Sequence, residues 1–305
     1  MIQVENLTHQ YGERIALNRI NFEVREGEIF GLLGPNGSGK STLFRILSTM
    51  MVPTGGRAIL AGHDVVRDPA AVRRLVGVVY QSQRQDKALT VEENLRAQGH
   101  LHALHGADLR ARMESAMERL GLADRRKDLV ETLSGGLRRR VEIAKALLHK
   151  PQILLMDEAS TGLDPAARRD LSRHVETLRE TEGVTILLTT HILEEADRCD
   201  RLVLLHQGNI VAQGTPAELR SSIGGDVVVL EATDAADAEP LATRIESRFG
   251  VRPTVSGGHV RIEIPNGHRF ITEVVEAFPG AIDSVGLHKP TLEDVFVRET
   301  GASIE

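Results

Sequence analysis

The sequence predicts an α/β fold built on a parallel sheet, followed by a smaller α+β unit. Three observations predict it. Apolar strand-like runs alternate with helical stretches between residues 29 and 205. A glycine-rich loop at residues 34–42 joins one such run to a helix. Beyond Gly224-Gly225 the pattern shifts to short strands and two helices, and the charge balance shifts with it. Residues 1–219 carry 29 basic and 29 acidic side chains, and residues 220–305 carry 8 and 14. The whole net charge of −6 therefore lies in the last 86 residues. The expected division is residues 1–222 and 226–301, which fits a prior of about two domains for 305 residues.

Taken in order, Met1 to Leu7 and Leu17 to Val24 alternate apolar and polar residues, as half-buried strands do. Ile29 to Leu33 is a short apolar run bounded by glycine, consistent with a buried strand. The loop Gly34-Pro35-Asn36-Gly37-Ser38-Gly39-Lys40-Ser41-Thr42 follows, then a helical stretch, Leu43 to Leu47. Leu75 to Tyr80 reads as a strand, and Thr90 to about Asp128 reads as helical. Ser134 is a plausible N-cap for an amphipathic helix running to Leu148. Ile153 to Met156 is an apolar strand ending in Asp157-Glu158. Ala166 to Glu182 reads as a helix, Val184 to Thr190 as a strand, Ile192 to Asp197 as a short helix and Leu202 to Leu205 as a strand. In the tail, strands at 227–231, 251–264 (two, around Ser256-Gly257-Gly258) and 282–287 enclose helices at 239–249 and 270–278. That order, β-α-β-β-α-β, is the ferredoxin-like arrangement.

Composition excludes several functions. Hydrophobic residues make up 41% and charged residues 26%, a globular balance. Aromatics are only 3%, with no Trp, which argues against a stacking platform for nucleic acid. The acidic tail would also repel phosphate backbones, so no nucleic-acid partner is expected. A single cysteine, Cys199, excludes an internal disulfide, suits a reducing compartment and, with no paired base beside it, is expected to be an inert thiol. The first residues lack the apolar core of a signal peptide, and no apolar run approaches the ~18 residues of a spanning helix. The expectation is a soluble chain, or one that meets a membrane only through partners.

The chemistry starts at the loop. Gly34-x-x-x-x-Gly39-Lys40-Ser41 has the spacing of a phosphate-binding loop, between a strand and a helix. The glycines let backbone N–H groups face a phosphate chain, and the helix N-terminus adds partial positive charge. Lys40 can reach the β- and γ-phosphates, and Ser41 can ligate Mg²⁺. Asp157 closes an apolar strand, where a carboxylate can hold that metal, and Glu158 beside it can polarise a water. The plainer alternatives are a glycine-rich turn with a stray lysine and two solvated acids.

Together with further motifs in the same order, the chain resembles the ATP-binding subunits of ABC transporters over roughly residues 1–220. Leu133-Ser134-Gly135-Gly136 looks like the signature motif, Gln81 like the Q-loop glutamine, Gly162-Leu163-Asp164-Pro165 like the D-loop and Thr189-Thr190-His191 like the switch histidine. Tyr11 looks like the aromatic that stacks on adenine. The resemblance implies a P-loop NTPase of ABC type with a helical subdomain at about 90–145, binding ATP and Mg²⁺. It places Gly34 to Thr42, Tyr11, Gln81, Ser134, Gly135, Gly136 and Asp164 at nucleotide, with Ser41, Gln81 and Asp157 at the metal. It makes Glu158 the general base, with Lys40 and His191 at the transferred phosphate. The signature residues of this family cap ATP on the opposite subunit. One motif set therefore implies an ATP-dependent homodimer, or a heterodimer with a paralogue. Two departures stand out: Leu137 where Gln is usual, and Ala159-Ser160 where Pro-Thr is usual. Pro290-Thr291-Leu292-Glu293-Asp294-Val295-Phe296 resembles the ending of ATPases paired with ABC-2-type permeases, including drug, polysaccharide and lipid exporters. The implied protein is the ATPase of a separate permease, peripheral on the cytoplasmic face of the membrane.

Two other classes remain as alternatives. A non-transport ABC ATPase usually carries two motif sets or a long coiled coil between loop and signature. Here Lys40 and Ser134 lie 94 residues apart without sustained heptads. A regulatory module that holds ATP without hydrolysis would not need both Glu158 and His191. Arg138-Arg139-Arg140 is expected to be a solvated face. His100, His102 and His105 lack a carboxylate or thiolate partner at metal spacing.

Overall fold

The computed structural model describes residues 1–82 and 84–304. By contacts the chain divides into two units. Met1–Leu33, Gly37–Thr190 and Gln207–Asn209 form the first, and Gly34–Asn36, His191–His206 and Ile210–Glu305 form the second.

The chain opens with strands β1 (Ile2–Tyr11) and β2 (Arg14–Val24), then β3 (Ile29–Leu33) and helix α1 (Lys40–Leu47). Next come β4 (Gly55–Leu60), β5 (His63–Asp64), α2 (Pro69–Leu75) and β6 (Val76–Val79). Three helices follow: α3 (Val91–Leu101), α4 (Gly106–Arg119) and α5 (Gly135–Leu147). Then come β7 (Ile153–Asp157), α6 (Pro165–Glu182) and β8 (Thr185–Thr190). In the first unit, β2-β1-β4-β5 make an antiparallel sheet, and β3-β8-β7-β6 run side by side in parallel. Every residue of β3 and β7 is buried, which explains their unbroken apolar runs: a parallel strand covered on both faces has no polar side.

Two sequence expectations need correction here. The stretch from Thr90 to Asp128 is not one helix. It breaks at His102–His105, where Ala103 (φ 56°) and Gly106 (φ 61°) turn left-handed, so the chain doubles back as α3 and α4. Thr90 starts α3 with a reciprocal capping box to Glu93. The second correction concerns the arginine triplet. Arg139 is only 2% exposed, Arg140 pairs with Asp170, and Arg138 donates to Leu133 O at 3.0 Å. The sequence reading also passed over β4, β5 and α2, whose apolar residues are too few to show a period.

The second unit contains α7 (Leu193–Ala196), β9 (Arg201–His206) and most of β10 (Asn209–Gly214), then α8 (Pro216–Ser221). It continues with β11 (Asp226–Ala232), α9 (Ala238–Phe249), β12 (Thr254–Ser256), β13 (His259–Ile264), α10 (Gly267–Ala277), β14 (Ile282–His288) and α11 (Leu292–Thr300). The antiparallel order β12-β13-β11-β14 is the ferredoxin-like one. Its core joins Val228, Leu230, Ile245, Val260, Ile262 and Val274, with α9 and α10 supplying the helical side. Cys199 lies in this unit, 5% exposed, its thiol directed at Glu195 O. No helix among the described residues is long and apolar enough to cross a membrane.

Candidate active site

The loop after β3 reaches α1 through two glycines that need the left-handed region, Gly37 (φ 80°) and Gly39 (φ 112°). Gly39 occupies the N-cap of α1 with no side-chain cap, so the loop leads directly onto the positive end of that helix. Ser38 Oγ is buried and has no hydrogen-bond partner among the described residues, a sign that this loop is shaped for a polar ligand. Lys40 is 3% exposed and directs its ammonium at Glu158 Oε1, 3.3 Å away. Burial pulls its pKa below the usual lysine value, against the raising effect of Glu158. Ser41 and Thr42 follow on α1, and Thr42 Oγ1 lies 3.4 Å from the Tyr11 hydroxyl at the end of β1. The Tyr11 ring is 45% exposed.

At the end of β7 stand the two acids. Asp157 pairs in register with Thr189 of β8, whose hydroxyl donates to Asp157 Oδ1 at 2.7 Å. Burial raises the Asp157 carboxyl above the usual range, and the Thr189 bond opposes that. Glu158 departs from the strand in a left-handed conformation, φ 43°, unusual for a residue with a side chain. Its amide donates to Thr189, both to the hydroxyl (3.0 Å) and to the carbonyl (3.1 Å). The turn re-aims the carboxylate away from the sheet, which places it between Lys40 and Gln81 Nε2, the latter donating at 3.1 Å. Strain of this kind, of order 1–3 kcal/mol, persists where the surroundings fix it and marks functional positions.

Lys40, Gln81 and Glu158 thus meet, with Asp157 joined to them by the chain and by Thr189. Ser134, Gly135 and Gly136 sit elsewhere, at the start of α5. Ser134 is exposed and caps that helix by accepting from Leu137 N at 3.3 Å. A Cβ at Gly135 would lie 3.5 Å from Leu163, and one at Gly136 would lie 3.2 Å from Ala167. Gly135 therefore faces the turn at residues 162–165, and Gly136 the first turn of α6. Asp164 is exposed and caps α6, accepting from Ala166 N and Ala167 N at 2.9 Å each. Gly34, Pro35, Asn36 and His191 belong to the second unit, and His191 follows directly on Thr190.

Two residues escaped the sequence reading. Thr189 was seen only as the start of Thr-Thr-His, whereas it holds both acids. Arg139 was read as surface. Its signal was its position: 139, 142, 143 and 146 share one face of α5, and all four are buried.

The family described as "ABC transporter" matches residues 17–161, and "ATP-binding protein DrrA1-3-like, C-terminal domain" matches residues 214–300. A daunorubicin resistance ATP-binding protein of Streptomyces coeruleorubidus is 38% identical, covering 98% of this chain and 96% of that protein. A linearmycin resistance ATP-binding protein of Bacillus subtilis is 35% identical over 100% of this chain and 99% of its own length. A Nod factor export ATP-binding protein of Ralstonia nicotianae is 38% identical over 99% and 94%. Among solved structures, the ATP-binding subunit of an ABC transporter superposes with a TM-score of 0.65 at 31% identity, over 73% of this chain and 93% of that one. A dimeric cassette in a post-hydrolysis state with ADP and Pi gives 0.64 at 28% identity, over 70% and 98%.

Proposed function

Because the chain belongs to the ATP-binding subunits of ABC transporters, which bind ATP and hydrolyse it to power a separate permease, we propose that it drives an ABC-2-type exporter. The observation that carries hydrolysis is the Lys40–Glu158–Gln81 cluster beside Asp157. Export rests on the match of residues 214–300 and on relatives whose names are resistance and export proteins. The working division is residues 1–222 for ATP and 226–301 as an accessory domain.

In this reading Gly34 to Thr42 cradle the phosphates, and Tyr11 offers its exposed ring to adenine. Lys40 exchanges the Glu158 carboxylate for the β- and γ-phosphates, which frees Glu158 to take a proton from the attacking water. His191 and Gln81 orient that water and the γ-phosphate. Ser41, Gln81 and Asp157 would hold Mg²⁺. The unmatched Ser38 hydroxyl and the desolvated Asp157 carboxyl fit a phosphate–cation pair. Bound there, the ion neutralises developing phosphate charge. Ser134, Gly135, Gly136 and Asp164 lie apart from this cluster and serve the ATP of an opposing chain, so two copies, or this chain and a paralogue, enclose two nucleotides. The permease docks beside Gln81, where a cleft of about 670 Å³ is lined by Met50, Val72, Tyr80, Arg84 and His102. That docking keeps the chain on the cytoplasmic face of the membrane.

The test is phosphate release by the purified chain together with its mass in solution. The wild type should release phosphate from ATP. Glu158→Gln should bind ATP, dimerise with it and release little phosphate. A Glu158→Gln protein that stays monomeric with ATP and hydrolyses at the wild-type rate would overturn the reading. Substrate accumulation in inverted vesicles with the partner permease supports export, and depletion from them overturns that part.

A further inference from the structure

We propose that Arg139 is a positioning residue that ties the signature helix to the Q-loop, so that the two nucleotide sites of the proposed dimer are coupled through one side chain. Arg139 lies in the second turn of α5, five residues after Ser134. Its guanidinium donates to Tyr80 O at 2.6 Å through one terminal nitrogen and to Gln81 O at 2.8 Å through the other. These are the carbonyls on either side of the bond from which the Gln81 side chain departs.

A cation 2% exposed is costly unless it is paired and hydrogen-bonded. Burial pulls the Arg139 pKa below its usual value, and Glu142, one turn on and 5% exposed, is the charge that opposes this. Glu142 Oε1 in turn accepts from Arg84 N at 3.2 Å, and Gln85 Nε2 donates to Arg138 O at 3.4 Å. The face of α5 below the signature glycines therefore grips the loop at 80, 81, 84 and 85. The close approach is built in at Gly77, where a Cβ would lie 2.5 Å from Ala146 O.

The planar fork of Arg139 meets two carbonyls at once, which a point charge cannot do with the same geometry. A shift of α5, as when Ser134–Gly136 engage a nucleotide on the opposing chain, is thereby transmitted to Gln81 at the chain's own nucleotide. The inference rests on the proposed role of Gln81 and on the two-nucleotide dimer.

A double-mutant cycle in the full-length protein tests it. Arg139→Met keeps length and removes both donors. It should lower kcat roughly tenfold, leave KM for ATP within about threefold, and reduce the Hill coefficient for ATP towards one. Arg139→Lys should recover part of kcat. In a Gln81→Ala background the same Arg139→Met change should alter kcat by less than about twofold, because the route it uses is already cut. Equal loss in both backgrounds, or an unchanged Hill coefficient with correctly folded protein, overturns the proposal. Near-UV circular dichroism of each variant checks folding. If a merely structural role held, Arg139→Met would lower thermal stability and kcat alike whether or not Gln81 is present. Wild-type protein that releases no phosphate would defeat the functional reading itself, an outcome separate from these.

Discussion

At the scale of single residues the site is a set of buried charges that hold one another in place. Lys40 and Glu158 share an ion pair away from water, and Thr189 pins the backbone that presents Glu158. Glu158→Gln keeps the size and the contact with Gln81 but removes the base. Phosphate release should fall by about 100-fold or more, with ATP binding retained, as measured by single-turnover release and nucleotide binding. Thr189→Val should also slow hydrolysis, because it removes one of the two acceptors for Glu158 N, leaving the backbone carbonyl, and removes the donor to Asp157. The proposed general base and phosphate loop could be named from the sequence because the chemistry proposed for them fixes residue type and spacing. Thr189 and Arg139 were not, because a hydroxyl or guanidinium reveals its partners only when distant segments come together.

A second residue-scale expectation concerns pH. His149 stacks on His102 with ring centroids 4.1 Å apart, and its Nε2 lies 3.1 Å from Val76 O. Burial, with smaller effects from His102 and Arg112, lowers its pKa to about 4. The unfolded imidazole takes up its proton near pH 6.5. Between about pH 6.5 and 4 the unfolded chain therefore binds more protons, so stability is intact above that window and falls as pH drops through it. Thermal midpoints taken from pH 7 to 5 should decline, and His149→Phe should flatten the slope. An equal slope in the variant would place the acid sensitivity elsewhere.

At the scale of elements, α5 does more than its amphipathic pattern suggested. It carries Gly135 and Gly136 at one end, packs on β6, and ties Arg138 to Leu133 O, Arg139 to Tyr80 O and Gln81 O, and Arg140 to Leu120 O and Asp170. Gly77 on β6 sets how near it can lie. Gly77→Ala puts a methyl 2.5 Å from a backbone oxygen that cannot rotate away, so it should destabilise the protein by about 1–3 kcal/mol in urea titration and reduce kcat. The parallel strands β3, β6, β7 and β8 were readable because they are continuous apolar runs, whereas β4, β5 and α2 were not. The break between α3 and α4 was not, because Ala103 turns left-handed within a local cap, Leu104 N donating to Gly99 O and Ala103 N to His100 O, and no proline or glycine at that residue announces it. The closing motif of the chain has a local explanation as well. Thr291 and Asp294 form a capping box for α11, and Arg261 of β13 donates to the buried Asp294 carboxylate at 2.8 Å.

For the whole molecule, the shift in charge after residue 219 falls near the start of the ferredoxin-like sheet, whose core is its own. Asp294→Ala removes a cap and leaves Arg261 without that partner. It should lower the stability of residues 226–301 by about 1–3 kcal/mol. Chemical denaturation should then show an earlier transition of residues 226–301, while ATP binding to residues 1–222 persists at low denaturant. Loss of ATP binding in step with that transition would contradict the expected independence. The α/β class and the β-α-β-β-α-β tail were both visible in hydrophobic periodicity. Which strands neighbour which was not, since strand order depends on crossovers that composition does not record.

Cys199 is the chain's single thiol, and it is closed off from solvent. Maleimide or disulfide reagents should leave the native protein nearly untouched and modify one site once it unfolds. The wild-type chain is thus close to a blank background for spectroscopic labelling. A cysteine placed at Leu101, 82% exposed, would carry a spin label or fluorophore alone. Paired labels across two copies could then test the proposed dimer and time its closing and opening without first stripping the protein of native sulfur.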